Sequence, residues 1–245
     1  MKVDVIILSR CMSEEDFAVN KDCISSLLLA EPGIHFNIII VESNQGFYSL
    51  NFSYQWPNVN VIIPGEPFHF NRFLNIGLSM ATTQWIIFSN NDVLFHKNWL
   101  SKMFKVKEEN NKIQSFCPFD PTSPCLSLNK FSHKSYHIGY RVPIEFVGWC
   151  FVTELSVFDK TGRFDEQFDL YFQDNDFALT LKQHNVIHAM VPASLVEHRG
   201  GYTTKVYDAS KTEKYQVDKI KFLKKWKRSF VQKVKIKLLG ILKSA

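Results

Sequence analysis

Residues 71–95 read NRFLNIGLSMATTQWIIFSNNDVLF, and this stretch decides the fold. From Asn71 to Ala81 the apolar side chains of Phe73, Leu74, Leu78 and Ala81 fall on one face with Phe70, which predicts a helix. From Gln84 to Ser89 the chain is apolar without polar alternation and carries paired isoleucines, which predicts a strand buried on both faces. That strand delivers the polar triplet Asn90-Asn91-Asp92 and then turns apolar again at Val93, Leu94 and Phe95.

Upstream the same alternation repeats. Val3 to Leu8, Phe36 to Val41 and Val59 to Ile63 read as buried strands, the last ended by Pro64-Gly65. Residues 14–30 read as a helix, with Ser13 as its cap, Glu14, Glu15 and Asp16 suiting its N-terminal dipole, and Pro32-Gly33 after its end. Strands alternating with helices imply βαβ units and a Rossmann-like, mostly parallel sheet flanked by helices, an α/β fold. Downstream, residues 113–153 read as short strands and loops, residues 174–184 as a helix and Val186 to Val191 as a further strand.

The formal net charge of +5 conceals an asymmetry. Residues 211–245 hold twelve Lys/Arg and two acids, so the preceding 210 residues hold 17 basic against 22 acidic groups and are net acidic. In the tail, Ile220, Leu223, Trp226, Phe230, Val234, Leu238 and Ile241 recur at helical spacing among lysines, which predicts a basic amphipathic helix over residues 213–242. Such a helix suits an anionic membrane surface with Trp and Phe inward, or packs against the rest of the chain. Val5 to Leu8 is too short for a signal-peptide core of about 7–15 residues, and no segment approaches the roughly 20 apolar residues of a membrane span. Five cysteines without a C-x-x-C pair suit reduced thiols in a cytosolic protein and exclude a zinc spacing.

In an open α/β sheet, ligands bind beyond the carboxyl ends of the strands. Three polar clusters sit there: Ser9-Arg10, Glu42-Ser43-Asn44 and Asn90-Asn91-Asp92. Asp92 has the oxygen chemistry to hold Mg²⁺ or Mn²⁺ against substrate phosphates; an Asx turn closing the strand is the competing account. Asp174 and Asp176 open a predicted helix, where acids are favoured by the dipole alone, and where a carboxylate can also act as a general base.

The order VDVIILSR (3–10), IIIVESN (38–44) and FNRFLNIGLSMATTQWIIFSNNDVLF (70–95) resembles the inverting glycosyltransferases of family 2, which have the GT-A fold. The segment GRFDEQFDLYFQDNDFALTLKQHN (162–185), preceded by Gly148-Trp149-Cys150-Phe151, extends the resemblance. It implies that Ser9, Arg10, Glu42, Arg72, Asn75, Asn90 and Asn91 contact a nucleotide-sugar donor, and that Glu42 faces the nucleotide base. It further implies Asp92 and His198 as ligands of Mn²⁺ or Mg²⁺, Asp174 as the general base, and Trp149 and Gln173 at the acceptor. Three residues depart from the family pattern. Glu42 stands for the usual Asp, Asn90 for the first acid of the D-x-D, and Gln173 for the Glu before the base.

These readings divide the chain into a GT-A catalytic domain over 1–205 and a basic helical tail over 206–245. Within the domain, 1–112 is the nucleotide-sugar half and 113–205 the acceptor half. The implied activity is metal-dependent transfer of a single sugar, with inversion, from a UDP-, dTDP- or GDP-linked donor to a hydroxyl of a glycan or lipid-linked acceptor. The expected setting is synthesis of a bacterial cell-surface polysaccharide or lipid-linked glycan, in the cytoplasm and peripheral to the inner face of the membrane, with no nucleic-acid partner. A Q-x-x-R-W motif, which marks processive members, is absent. The rival account is a degenerate GT-A scaffold that binds membrane or nucleic acid through its tail.

Overall fold

The computed structural model describes residues 1–123, 131, 133–200 and 213–227. Strand β1 (Lys2–Ser9) leads into helix α1 (Glu14–Ala30), β2 (His35–Glu42), a 3-10 turn (Phe47–Leu50), β3 (Val59–Ile62), α2 (Phe70–Ser79) and β4 (Trp85–Asn90). Then come β5 (Val93–Phe95), α3 (Trp99–Glu109), β6 (Ile113–Phe119), β7 (His137–Ile138), β8 (Cys150–Glu154), α4 (Val157–Thr161), α5 (Gln173–Gln183) and β9 (Ile187–His198). Among the described residues a final helix, α6, runs through residues 213–227.

The sheet order is β3-β2-β1-β4-β8-β6-β9-β5, with β7 paired to β9. The first four strands in that order are all parallel, as βαβ connections require. Strand β8 then runs antiparallel between β4 and β6, and β5 and β7 run antiparallel to β9. The mostly parallel expectation therefore holds in the first half, and the second half is mixed.

Alternation along the strands builds a core on each face. Val3, Val5 and Ile7 pack with Ile24 and Leu27 of α1 and Trp99 and Met103 of α3. Ile6 and Leu8 pack with Phe73, Leu74 and Leu78 of α2 and Phe177 and Leu181 of α5. Burial on both faces explains why β1, β2 and β4 read as apolar runs, whereas β3, expected to be buried, lies at the sheet edge and is partly exposed. Gly77 permits the close approach of α2 to the sheet, since a Cβ there would lie 2.5 Å from Ile6 Cγ2. Asp4, the one acid in β1, is fully buried and accepts hydrogen bonds from the Thr82 and Thr83 amides at 2.6 and 2.7 Å, closing the turn into β4.

Helix α1 has its expected cap, with the Asp16 amide donating to Ser13 Oγ at 3.2 Å. Helix α3 was not anticipated, although Trp99, Leu100, Met103 and Val106 carry its buried face at helical spacing. Strand β9 runs seven residues beyond Val191, to His198. The four described cysteines are buried free thiols. No helix among the described residues is long and apolar enough to cross a membrane.

Helix α6 packs on the preceding chain with one face: Asp218 is 1% exposed, and Phe222 and Trp226 are half-buried. Trp226 and Phe222 thus face protein, the packed arrangement that the spacing left open beside a membrane surface. Val217, Ile220 and Leu223 remain exposed. The expected tail beyond residue 227, and the expected domain boundary near 205, lie outside the described residues.

Candidate active site

Strand register brings the polar clusters to one edge of the sheet. Ser9 pairs with Glu42 and Leu8 with Asn90, so the ends of β1, β2 and β4 are level. Beyond them lies a cavity of about 250 Å³. Ser9, Arg10, Asn90 and Asn91 line it from the strand ends, and Trp149, Gln173 and Asp174 line it from the second half of the chain. Much of the remaining wall is aromatic, including Phe146, Phe164 and Tyr171. Seven of the twelve expected site residues therefore meet in one space, drawn from segments more than 160 residues apart.

The strand-end residues are held by a buried polar relay. Asn20 of α1 donates to Ser9 Oγ at 2.6 Å and to the Tyr54 hydroxyl at 2.7 Å, and its Oδ1 accepts from Asn91 Nδ2 at 2.7 Å. Asn20 was not singled out by sequence, because a lone Asn on a helix carries no spacing signal. Asn71 was also missed: it lines the cavity, and its buried Oδ1 has no hydrogen-bond partner.

Three expected donor contacts are placed elsewhere. Glu42 is fully buried and accepts from Ser9 Oγ at 2.5 Å, from the Cys11 amide at 3.2 Å and from the Asn44 amide at 2.7 Å. Its extra methylene relative to Asp lets the carboxylate cross to the β1 turn, so both its oxygens are committed within the protein. Arg72 is half-exposed and pairs with Glu66 at 2.8 Å and Glu166 at 3.3 Å. Asn75 donates to the Phe164 carbonyl at 2.9 Å and to Glu166 at 2.8 Å, and accepts from the Phe164 amide at 3.0 Å. Arg72 and Asn75 thus brace the 164–166 loop and do not line the cavity.

Asp92 and His198 come together through the antiparallel pair of β5 and β9, in which Val93 lies opposite His198 and the Arg199 amide donates to the Asp92 carbonyl at 3.0 Å. Asp92 Oδ1 lies 3.2 Å from His198 Nε2, close enough for an ion pair but not aligned for a hydrogen bond, and this buried oxygen has no other partner. A carboxylate oxygen and an imidazole nitrogen set side by side without bonding each other form a donor set that fits Mn²⁺, and Mg²⁺ less well. Asn90 Nδ2 lies 3.5 Å from the same imidazole nitrogen. Among the described residues no group of three His, Cys, Asp or Glu side chains is gathered around a point, so a cation here would draw its remaining ligands from elsewhere. Trp149 stacks on the His198 ring at 4.9 Å and 11°, which gives one face of the indole to the imidazole where a sugar was expected.

Asp174 sits in the first turn of α5. Burial pushes its carboxyl above the usual aspartate range, against a smaller lowering by the Asn175 amide, which donates to it at 2.7 Å. A carboxyl whose pKa is raised by burial at the edge of a cleft has the chemistry of a proton-transfer group. Gln173 Oε1, next to it, is buried without a partner. The residue before the helix, Phe172, is left-handed at φ 63°, an uncommon conformation for a bulky side chain.

A family model described as Glycosyl transferase family 2 matches residues 17–185. The crystal structure of GalNAc-T7 with UDP, GalNAc and Mn²⁺ superposes with a TM-score of 0.61 at 13% identity, covering 80% of this chain and 43% of that one. That of S. aureus TarS 1-349 superposes with a TM-score of 0.60 at 13% identity, covering 80% and 59%. This chain therefore spans about half the length of these structures, and at such identity the likeness shows the fold alone. No curated protein matches the chain.

Proposed function

The chain belongs to glycosyl transferase family 2 and has the α/β GT-A fold of glycosyltransferases, and from that premise we propose that it transfers one sugar from a nucleoside-diphosphate donor to an acceptor hydroxyl with inversion. One observation carries the reading: the strand-end residues Ser9, Arg10, Asn90 and Asn91 line the same cavity as the carboxylate of Asp174.

The donor occupies the strand-end side, where Ser9 and Asn91 are held by Asn20. Asp92 and His198 would hold a divalent cation, which when bound supplies Lewis-acid stabilisation of a diphosphate leaving group. The acceptor enters against the aromatic wall, and Asp174 takes the proton from its hydroxyl as that oxygen attacks the anomeric carbon. A base on the face opposite the leaving group gives a single displacement and hence inversion. The elevated pKa of Asp174 suits this role, because a base close in pKa to the working pH transfers protons most effectively. Gln173 and Asn71 offer amide oxygens to the hydroxyls of either sugar. Aromatic walls stack on the apolar faces of sugar rings, which supports a glycan or the sugar of a lipid-linked precursor as acceptor. The exposed Val217, Ile220 and Leu223, alongside Lys224 and Lys227, support peripheral association with an anionic membrane.

The test is release of nucleoside diphosphate from a panel of UDP-, dTDP- and GDP-sugars with Mn²⁺, with Mg²⁺ and with EDTA, on the wild type and Asp92→Ala. Turnover of one donor that needs both metal and Asp92 is the expected result. No turnover together with no donor binding sinks the reading in favour of a scaffold.

A further inference from the structure

Helix α6 lies beyond the family match, yet its inner face is bound to the segment that carries Asp174. The buried Asp218 accepts from the Leu170 and Tyr171 amides at 3.2 and 3.1 Å. Those amides lie immediately before α5. Lys221 ties Asp218 to the Gln167 carbonyl, at 3.0 and 2.6 Å. Lys214 pairs with Asp169 at 2.7 Å. Lys225 Nζ lies 2.8 Å from both Asp165 and Asp176, and Trp226 Nε1 donates to Asp176 at 2.8 Å. Phe222 stacks on Phe172 at 5.2 Å and 29°.

These contacts surround the start of α5. Phe172 needs support to stay left-handed, because that backbone region is strained for an aromatic residue. The Phe222 ring supplies it from one side and Asp218 fixes the two preceding amides. One helical turn further on, Asp176 is 3% exposed, and burial raises its pKa. Lys225 and Trp226 are the groups that offset this cost and anchor the carboxylate. Asp174 lies between these two anchor points, two residues from each of Phe172 and Asp176.

We propose that Asp218, Phe222, Lys225 and Trp226 are positioning residues that hold the first turn of α5, and with it Asp174, in register with the donor side of the cavity. The assignment of Asp174 as the base rests on the transferase reading above; the clamp itself does not. The described hydrogen bonds, ion pairs and ring stacking of these four residues outside α6 reach residues 165–176 and not the ends of β1 or β4. Loss of the clamp therefore lowers the rate of the bound complex and leaves donor affinity alone.

The experiment uses the full chain with the double substitution Lys225→Met/Trp226→Phe, the conservative Lys225→Arg, and Asp218→Ala as an independent second disruption. Kinetics of transfer and hydrogen exchange are both read. The double variant is expected to lose about tenfold or more in kcat, with donor KM within about twofold. Amides of residues 168–176 exchange faster while those of β1 and β4 keep their protection, and Lys225→Arg retains most of the rate. If the double variant does not fold, Asp218→Ala is read by the same criteria. Unchanged exchange in 168–176, or loss of protection spread over the whole sheet, overturns the proposal. The exchange measurement decides even if no donor is turned over, so failure of the clamp and failure of the transferase reading give different results.

Discussion

Gly148 lies directly against Asp174: a Cβ at position 148 would stand 2.7 Å from the Cβ of the aspartate. That separation is closer than side-chain carbons tolerate, so Asp174 holds its place only because residue 148 has no side chain. Gly148→Ala is expected to push the carboxylate out of position and lower kcat by about tenfold or more. Donor binding, followed by calorimetry with the nucleoside diphosphate, should stay close to wild type. Equal losses in both would show that the substitution disturbs the entire cavity.

Asp174→Asn should separate activity from stability. Removing the base is expected to lower kcat by about 10²–10⁴-fold. Burial raises the folded-state pKa of Asp174 above its unfolded value. The folded protein therefore binds the proton more tightly, and stability falls as pH rises from the unfolded value through the raised one. At neutral pH the ionised carboxylate is a cost that Asn does not carry, so the melting temperature should equal or exceed that of the wild type. A marked drop in melting temperature would give Asp174 a structural role instead.

The same shift sets the pH profile. Asp174 accepts a proton only when ionised, so kcat should fall on the acid side at a pH above the ordinary aspartate range. The limb should vanish in Asp174→Asn, whose residual rate is expected to be flat there. An acid limb that survives the substitution would belong to another group.

Asp92→Ala and His198→Ala should each weaken Mn²⁺ binding in the presence of nucleoside diphosphate. The free-ion signal in electron paramagnetic resonance reads this without any turnover. Asn90 Nδ2 lies 3.5 Å from the same imidazole, and Asn90→Asp, which replaces this amide by a charged carboxylate, should tighten Mn²⁺. Wild-type affinity in Asp92→Ala would remove this residue from the proposed metal site.

Glu42→Asp is expected to destabilise, although it restores the residue usual in the family. The shorter side chain cannot reach Ser9, the Cys11 amide and the Asn44 amide together. Leaving two buried donors without a partner costs about 2–6 kcal/mol, readable by urea denaturation. An unchanged midpoint would mean that the turns re-form around the shorter acid.

Much of the site was legible as chemistry along the chain. The clusters Ser9-Arg10 and Asn90-Asn91 end buried strands, and in parallel strands a shared direction brings such ends to one edge of the sheet. Asp174 was legible from the acids at a helix start and from the segment around it. The roles of Glu42, Arg72 and Asn75 were not, because each depends on a partner far away in sequence. Asn75 and Arg72 meet Glu166 across more than 90 residues. Trp149 shows the same limit, since its stacking on His198 follows from β9 running to the sheet edge.

The sequence by itself determined the periodic elements: unbroken apolar runs for strands covered on both faces, amphipathic spacing for α2, and cap chemistry for α1. These are local consequences of burial and backbone hydrogen bonding. Only the tertiary structure decided that β8 enters the sheet antiparallel and that the basic helix over 213–227 turns Asp218, Lys225 and Trp226 inward onto the segment that carries Asp174. Spacing defines the faces of a helix, but which face is buried depends on what the rest of the chain presents to it. Here the acidic segment 165–176 gives the lysines and the indole a protein partner.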